Sequence, residues 1–181
     1  MHSKLKSDFR AVSVAAALSL VAGGCATGDV AMMATISGGQ KIRVPIGRNG
    51  VEMTNEDGIQ INAATFSLNG DKKIVFVFEF TDAQKRAVRS VRVEDVSDEA
   101  PMPLVESNQP QISATGHWRG ESEPLALGDR RLGWMATLPN SVRVFRFTLT
   151  PAGGQTLIIH QGALFPAPMK SAVRQALGQN Y

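Results

Sequence analysis

Residues 59–81 read Ile59-Gln60-Ile61-Asn62-Ala63-Ala64-Thr65-Phe66-Ser67-Leu68-Asn69-Gly70-Asp71-Lys72-Lys73-Ile74-Val75-Phe76-Val77-Phe78-Glu79-Phe80-Thr81. Two apolar runs flank Asn69-Gly70, a pair suited to the positive-φ positions of a tight hairpin turn, so the stretch predicts antiparallel strands over 59–68 and 73–81. In the second run Phe76, Phe78 and Phe80 share one face, while Val75 and Val77 share the other with Glu79. A strand apolar on both faces belongs in the middle of a sheet with cover on each side. In the first run Ile59, Ile61 and Ala63 have one parity, and Ala64, Phe66 and Leu68 have the other. Such a change of phase is produced by a β-bulge or by a bend at the corner of a packed sheet.

Working outward, the same pattern predicts strands over 33–36, 41–46, 88–96, 111–118, 132–138, 141–150 and 156–161. Turn residues punctuate them: Gly38-Gly39, Arg48-Asn49-Gly50, Pro139-Asn140 and Gly153-Gly154. The run 141–149 changes phase as well, with Val142 and Val144 on one parity and Phe145, Phe147 and Leu149 on the other. It therefore predicts either a bulge or a strand that passes from one core to another. Helical spacing is confined mainly to 167–177, where Pro168 opens a run of Met169, Val173, Ala176 and Leu177 that Gly178 closes. The expected fold is all-β, a two-sheet antiparallel sandwich, immunoglobulin-like in the loose sense, with a short C-terminal helix; a partly open barrel is the rival.

The chain has 181 residues, of which 43% are hydrophobic and 19% charged, enough apolar content for one packed domain and too much for a disordered chain. A single cysteine excludes an internal disulfide framework and any Cys-cluster zinc site. The sequence lacks the run of ~20 apolar residues that a membrane-spanning helix needs.

The N-terminus has three parts: Lys4, Lys6 and Arg10, then an apolar stretch from Ala11 to Val21, then Ala22-Gly23-Gly24 directly before Cys25. This is the layout of a secretory signal. The ending Ala22-Gly23-Gly24-Cys25 resembles the lipobox of bacterial lipoproteins, although Ala22 stands where that class favours Leu. The resemblance covers the first 25 residues and implies acylation of Cys25 and cleavage before it. It divides the chain into a signal peptide (1–24), a lipidated cysteine with a short tether (25–31) and one domain (32–181). One acyl chain holds a protein marginally, whereas two or more anchor it stably. Ala26 follows the cysteine, where Asp in enterobacterial lipoproteins marks inner-membrane retention, so the resemblance implies the outer membrane. Loss of residues 1–24 leaves sixteen basic residues against fifteen acidic ones. That balance gives no electrostatic case for nucleic acid.

Chemistry is sparse. The mature chain keeps His117 and His160 only, and holds no G-x-S-x-G, H-E-x-x-H, P-loop or EF-hand pattern. The most distinctive cluster is Gly116-His117-Trp118-Arg119-Gly120. Its His117, Trp118 and Arg119 form a candidate binding surface, since Trp and Arg are enriched at binding hot spots; against that, Trp118 reads as a core residue with Arg119 covering it. His160 alternates onto the face of Ile158 and reads as a strand histidine. The acidic run 94–99 reads as a solvated strand end leading to Pro101 and Pro103. No catalytic, metal or cofactor residue is assigned. The expected role is a membrane-anchored, non-catalytic binding module engaging an envelope protein or polysaccharide. The rivals are a hydrolase using His117 or His160 and a periplasmic metal carrier in which the two histidines act together.

Overall fold

A computed structural model describes residues 31–47, 53–54, 57–68, 73–126, 129, 132 and 141–165. Their regular structure is almost wholly β: β1 (Ala31–Thr35), β2 (Lys41–Gly47), β3 (Met53–Thr54), β4 (Ile59–Leu68), β5 (Lys73–Asp82), β6 (Val88–Asp95), β7 (Met102–Asn108), β8 (His117–Glu121), β9 (Leu125–Ala126), β10 (Ser141–Pro151) and β11 (Leu157–Phe165). Two sheets result. The larger has the order β1-β2-β11-β10-β6-β7; the smaller has β3-β4-β5-β8, with β9 also paired to β5. Neighbours are antiparallel except β2 and β11, which run parallel across only Gly162↔Ile46 and Ala163↔Gly47.

The two strands of the opening stretch pair as their pattern requires. β4 and β5 pair antiparallel up to Leu68↔Ile74, and their register slips between Asn62 and Thr65, where the apolar phase changes. β5 lies between β4 and β8 and turns Phe76, Phe78 and Phe80 into the core, each no more than 1% exposed. Across the core β10 presents Phe145 and Phe147. The Phe78 ring meets them edge-on at centroid distances of 5.2 Å and 5.9 Å. Each such pair adds about 0.5–1.5 kcal/mol beyond the area it buries. Val91 and Val93 of β6, Ile59 and Ile61 of β4 and Trp118 of β8 complete one cluster drawn from both sheets. On the other face of β5, Val77 is buried, while Val75 and Glu79 are half-buried.

β10 resolves the choice posed by its own phase change. Its pairing with β11 runs unbroken from Ser141 to Leu149, so no bulge lies at Val144 and Phe145. The strand instead serves two cores. Phe145, Phe147 and Leu149 enter the main one, while Val144 packs with Ile36, Val44 and Val96 in a small second one under the β1–β2 hairpin.

Elsewhere the structure departs from the pattern. No strand was read over 102–108, where Pro103 interrupts the apolar pattern; β7 forms there as an edge strand, and an edge is one of the few places where a sheet tolerates proline. The strand expected over 111–118 begins only at His117, because Ser113 closes a turn in which Gly116 N–H donates to Ser113 O at 2.9 Å. β3 and β9, two residues each, carry too little pattern to be read. The helix expected over 167–177, most of the strand expected over 132–138, the Asn69-Gly70 turn and the whole N-terminal segment through Cys25 lie outside the described residues.

Truncating the aromatic seam should be costly: Phe78→Ala is expected to lower stability by about 3–5 kcal/mol in urea titrations. Val75→Ala, on the half-buried outer face of the same strand, should cost clearly less. Equal losses would place the core elsewhere.

Candidate functional site

The cluster 116–120 is shaped by packing. Gly116 holds φ at +83°, and a Cβ there would collide with the Asp82 carbonyl. Trp118 is 2% exposed and stacks on Phe80 at 5.2 Å with 25° between the rings. Gly120 lies under the indole, where a Cβ would run into that ring. Arg119 faces outward and pairs with Glu79 at 3.1 Å and Glu121 at 2.9 Å. His117 also faces outward, its Nδ1 3.4 Å from Thr81 Oγ1. The outer face of the smaller sheet therefore brings His117 and Arg119 together, while Trp118 turns away from both into the core.

His160 lies on the other side of the molecule. Its neighbour Ile159 enters the shared core, which puts His160 on the outer face of the larger sheet. The core thus separates His117 from His160, and the two do not converge on one ion. No group of three His, Cys, Asp or Glu placed to hold a metal occurs among the described residues. The His160 ring is half-buried beside its register partner Arg146, and its Nε2 is buried with no hydrogen-bond partner among the described residues. Burial first, and the Arg146 charge second, hold its pKa below the ordinary 6.5.

The acidic run is where expectation and structure differ most. Glu94 and Asp95 are 4% and 2% exposed, not solvated. Glu94 is clamped by Arg146 at 2.6 Å and Arg92 at 2.7 Å. Asp95 faces the end of the main core and accepts from Arg143 Nε at 2.9 Å, Ser97 N–H at 3.0 Å and Ser97 O–H at 2.7 Å. The Ser97 hydroxyl in turn accepts from Val144 N–H at 2.7 Å. Arg143 reaches past Asp95 to the exposed Asp98, with Nη2 2.6 Å from Oδ2. Burial alone would make the Arg143 guanidinium easier to deprotonate, but Asp98 and Asp95 outweigh it and raise its pKa. Hydrogen bonding to Arg143 is the main cause that lowers the Asp98 carboxyl below its usual range. Next to this network the Gly38-Gly39 turn and residues 97–99 enclose an open hollow of about 480 Å³.

A similar clasp closes the β5–β6 connection. Asp82 accepts from Gln84 N–H at 2.9 Å, Arg86 N–H at 3.0 Å and Arg86 Nε at 2.8 Å. Burial pushes its carboxyl up, but the hydrogen bonds from Arg86 and Gln84 prevail and the pKa falls below 3.8. These ionic groups neutralise one another and brace the ends of strands.

Two further polar residues went unread in the sequence. Gln161, 2% exposed, donates through Nε2 to the Pro45 carbonyl at 3.2 Å, where β2 meets β11. Ser122 Oγ accepts from Phe76 N–H at 3.0 Å, filling the ladder between β8 and β9. The Arg143–Asp95 pair did leave a signal: Arg143 alternates with Phe145, and Asp95 with Val93, so opposite charges share the inward parity. No family model, curated protein or solved structure matches the chain.

Removing one partner of a buried pair strands the other charge, which typically costs 3–5 kcal/mol. Arg143→Met should therefore lose about that much, and adding Asp95→Asn should restore most of it, read as urea midpoints. A double variant no more stable than the single one would refute the pairing. His160 gives a pH signature. Its folded pKa is depressed, so the unfolded chain takes up the proton first, and the stability it contributes is intact above pH 6.5 and declines as pH falls below that value. His160→Leu should flatten that part of the stability curve; an unchanged slope would show that the ring does not titrate there.

Proposed function

We propose that this chain is a lipid-anchored lipoprotein of the bacterial cell envelope, acting as a non-catalytic interaction module. The observation that carries this reading is Ala22-Gly23-Gly24-Cys25, with the chain's sole cysteine at the acylation position of the lipobox it resembles. Only five residues, Ala26 to Val30, separate that cysteine from β1. At ~3.3–3.6 Å per residue they hold the body within about 20 Å of the bilayer. Ala26 favours the outer membrane over the inner.

The finer architecture we propose is a β-sandwich, immunoglobulin-like in the loose sense, completed by a helix over 167–177. Two sheets around one shared core support it. The interaction role rests on how the polar groups are arranged. His117 and His160 lie on opposite outer faces, and the buried charges are engaged with one another. Strand edges are then the surfaces left to recognise a partner, which favours an envelope protein over a polysaccharide.

Mass spectrometry of the mature N-terminus should find an acylated Cys25 as the first residue. Cys25→Ser should move the product from the envelope fraction to the soluble one. Equal retention of the variant would refute the anchor.

A further inference from the structure

We propose that the edge of β1 that stays open among the described residues is a strand-acceptor site for an extended, acidic segment of a partner protein. This rests on the interaction-module reading and names its surface and partner chemistry. Among the described residues the outer strands are β1, β7, β3, β8 and β9, and all but β1 are guarded or only two residues long. β7 contains Pro103 and Glu106, and a register slip falls between Val93 and Glu94 where it pairs with β6. β8 carries the Arg119 pairs with Glu79 and Glu121. β3 is two residues long. β1, Ala31-Met32-Met33-Ala34-Thr35, has no charge, no proline and no bulge along its pairing with β2. Sheets ordinarily blunt such an edge, because its unpaired N–H and C=O groups template another strand.

The register identifies those groups. Ile36 N–H donates to Gln40 O at 2.9 Å, which sets 36 and 40 in the hydrogen-bonded phase of the ladder, while Gly39 N–H closes the turn on Ile36 O at 2.9 Å. Bonded and non-bonded pairs alternate along an antiparallel ladder. Ala34 and Met32 therefore bond inward to Ile42 and Val44, while the backbones of Ala31, Met33 and Thr35 face the open edge. Pro45 fits this phase, since it pairs with Ala31 at a non-bonded position and loses no bond to β1. The side chains of Met33 and Thr35 share a face with their partners Arg43 and Lys41, which are exposed, and Met33 is itself 62% exposed. A strand added here meets an apolar side chain at its centre and two cations one strand inboard. Charge complementarity selects an incoming segment with an apolar residue opposite Met33 and carboxylates beside it.

The test uses the full chain in detergent and a short synthetic peptide alternating acidic and β-branched residues, with a lysine-for-acid peptide as control. Amide hydrogen exchange of Ala31, Met33 and Thr35 should slow at least tenfold with the acidic peptide and stay unchanged with the basic one. Met33→Pro removes an N–H that faces outward, so the variant should keep its urea midpoint yet lose the protection. Arg43→Glu should weaken acidic-peptide binding at least tenfold with the fold intact. Unaltered exchange with the acidic peptide would overturn the proposal. So would protection by anionic phosphatidylglycerol vesicles alone, which makes the patch membrane-facing, or protection that rises with protein concentration without peptide, which makes it a self-interface. Acylation of Cys25 is read separately by mass, so failure of the anchor and failure of the edge are distinct results.

Discussion

The aromatic seam between β5 and β10 is the constraint on which the rest of the body depends. Phe76, Phe78 and Phe80 come from one sheet and Phe145 and Phe147 from the other, and the Phe78 ring at the centre meets both of the latter edge to face. Neither strand has a stable position without its opposite. Each sheet alone exposes a row of phenylalanines, and a residue of that size contributes on the order of 1.5–3 kcal/mol when fully buried. Once the rows face each other, the remaining strands fall into place around them. β4 and β8 flank β5, and β11 and β6 flank β10, each adding its own apolar parity to the same interior.

Charge finishes what the seam begins. The ends of β5, β6 and β10 would leave backbone and carboxylate groups poorly solvated, and each is tied off by an arginine. Arg86 closes on Asp82, Arg143 on Asp95 and Asp98, and Arg146 with Arg92 on Glu94. Buried pairs of this kind are weak sources of net stability but strong penalties when mismatched. Their contribution here is to fix which end of each strand stops where.

The sequence carried the central strands plainly, because alternation is the direct imprint of a two-sided sheet. β4 was legible to the residue, and β5, β6 and β10 nearly so, because each combines an apolar parity with turn residues at its ends. What escaped was structure decided by neighbours. β7 was hidden by Pro103, whose meaning depends on lying at an edge. Trp118 already read as a core residue against the rival of a binding surface, and its burial against Phe80 agrees, while the glycine beneath its ring went unread. Glu94 and Asp95 read as solvated because their partners Arg146 and Arg143 are about fifty residues away in the chain. At the candidate site, the sequence singled out His117 and Arg119 by their unusual company, but not the strand edge of β1. An edge is a property of sheet order, which no local pattern records.

The parallel contact of β2 with β11 has a mechanical consequence. It spans two register positions, with the Gln161 amide braced on the Pro45 carbonyl beside them. Any pull applied through the N-terminal end enters the molecule by way of β1 and β2 and reaches this junction before the phenylalanines. The hairpin is therefore the element that peels first under tension, exposing Val44 and Val144 while the interior between the two sheets stays closed. A body held from that side would yield in stages, giving up a few contacts at its rim and keeping its centre whole.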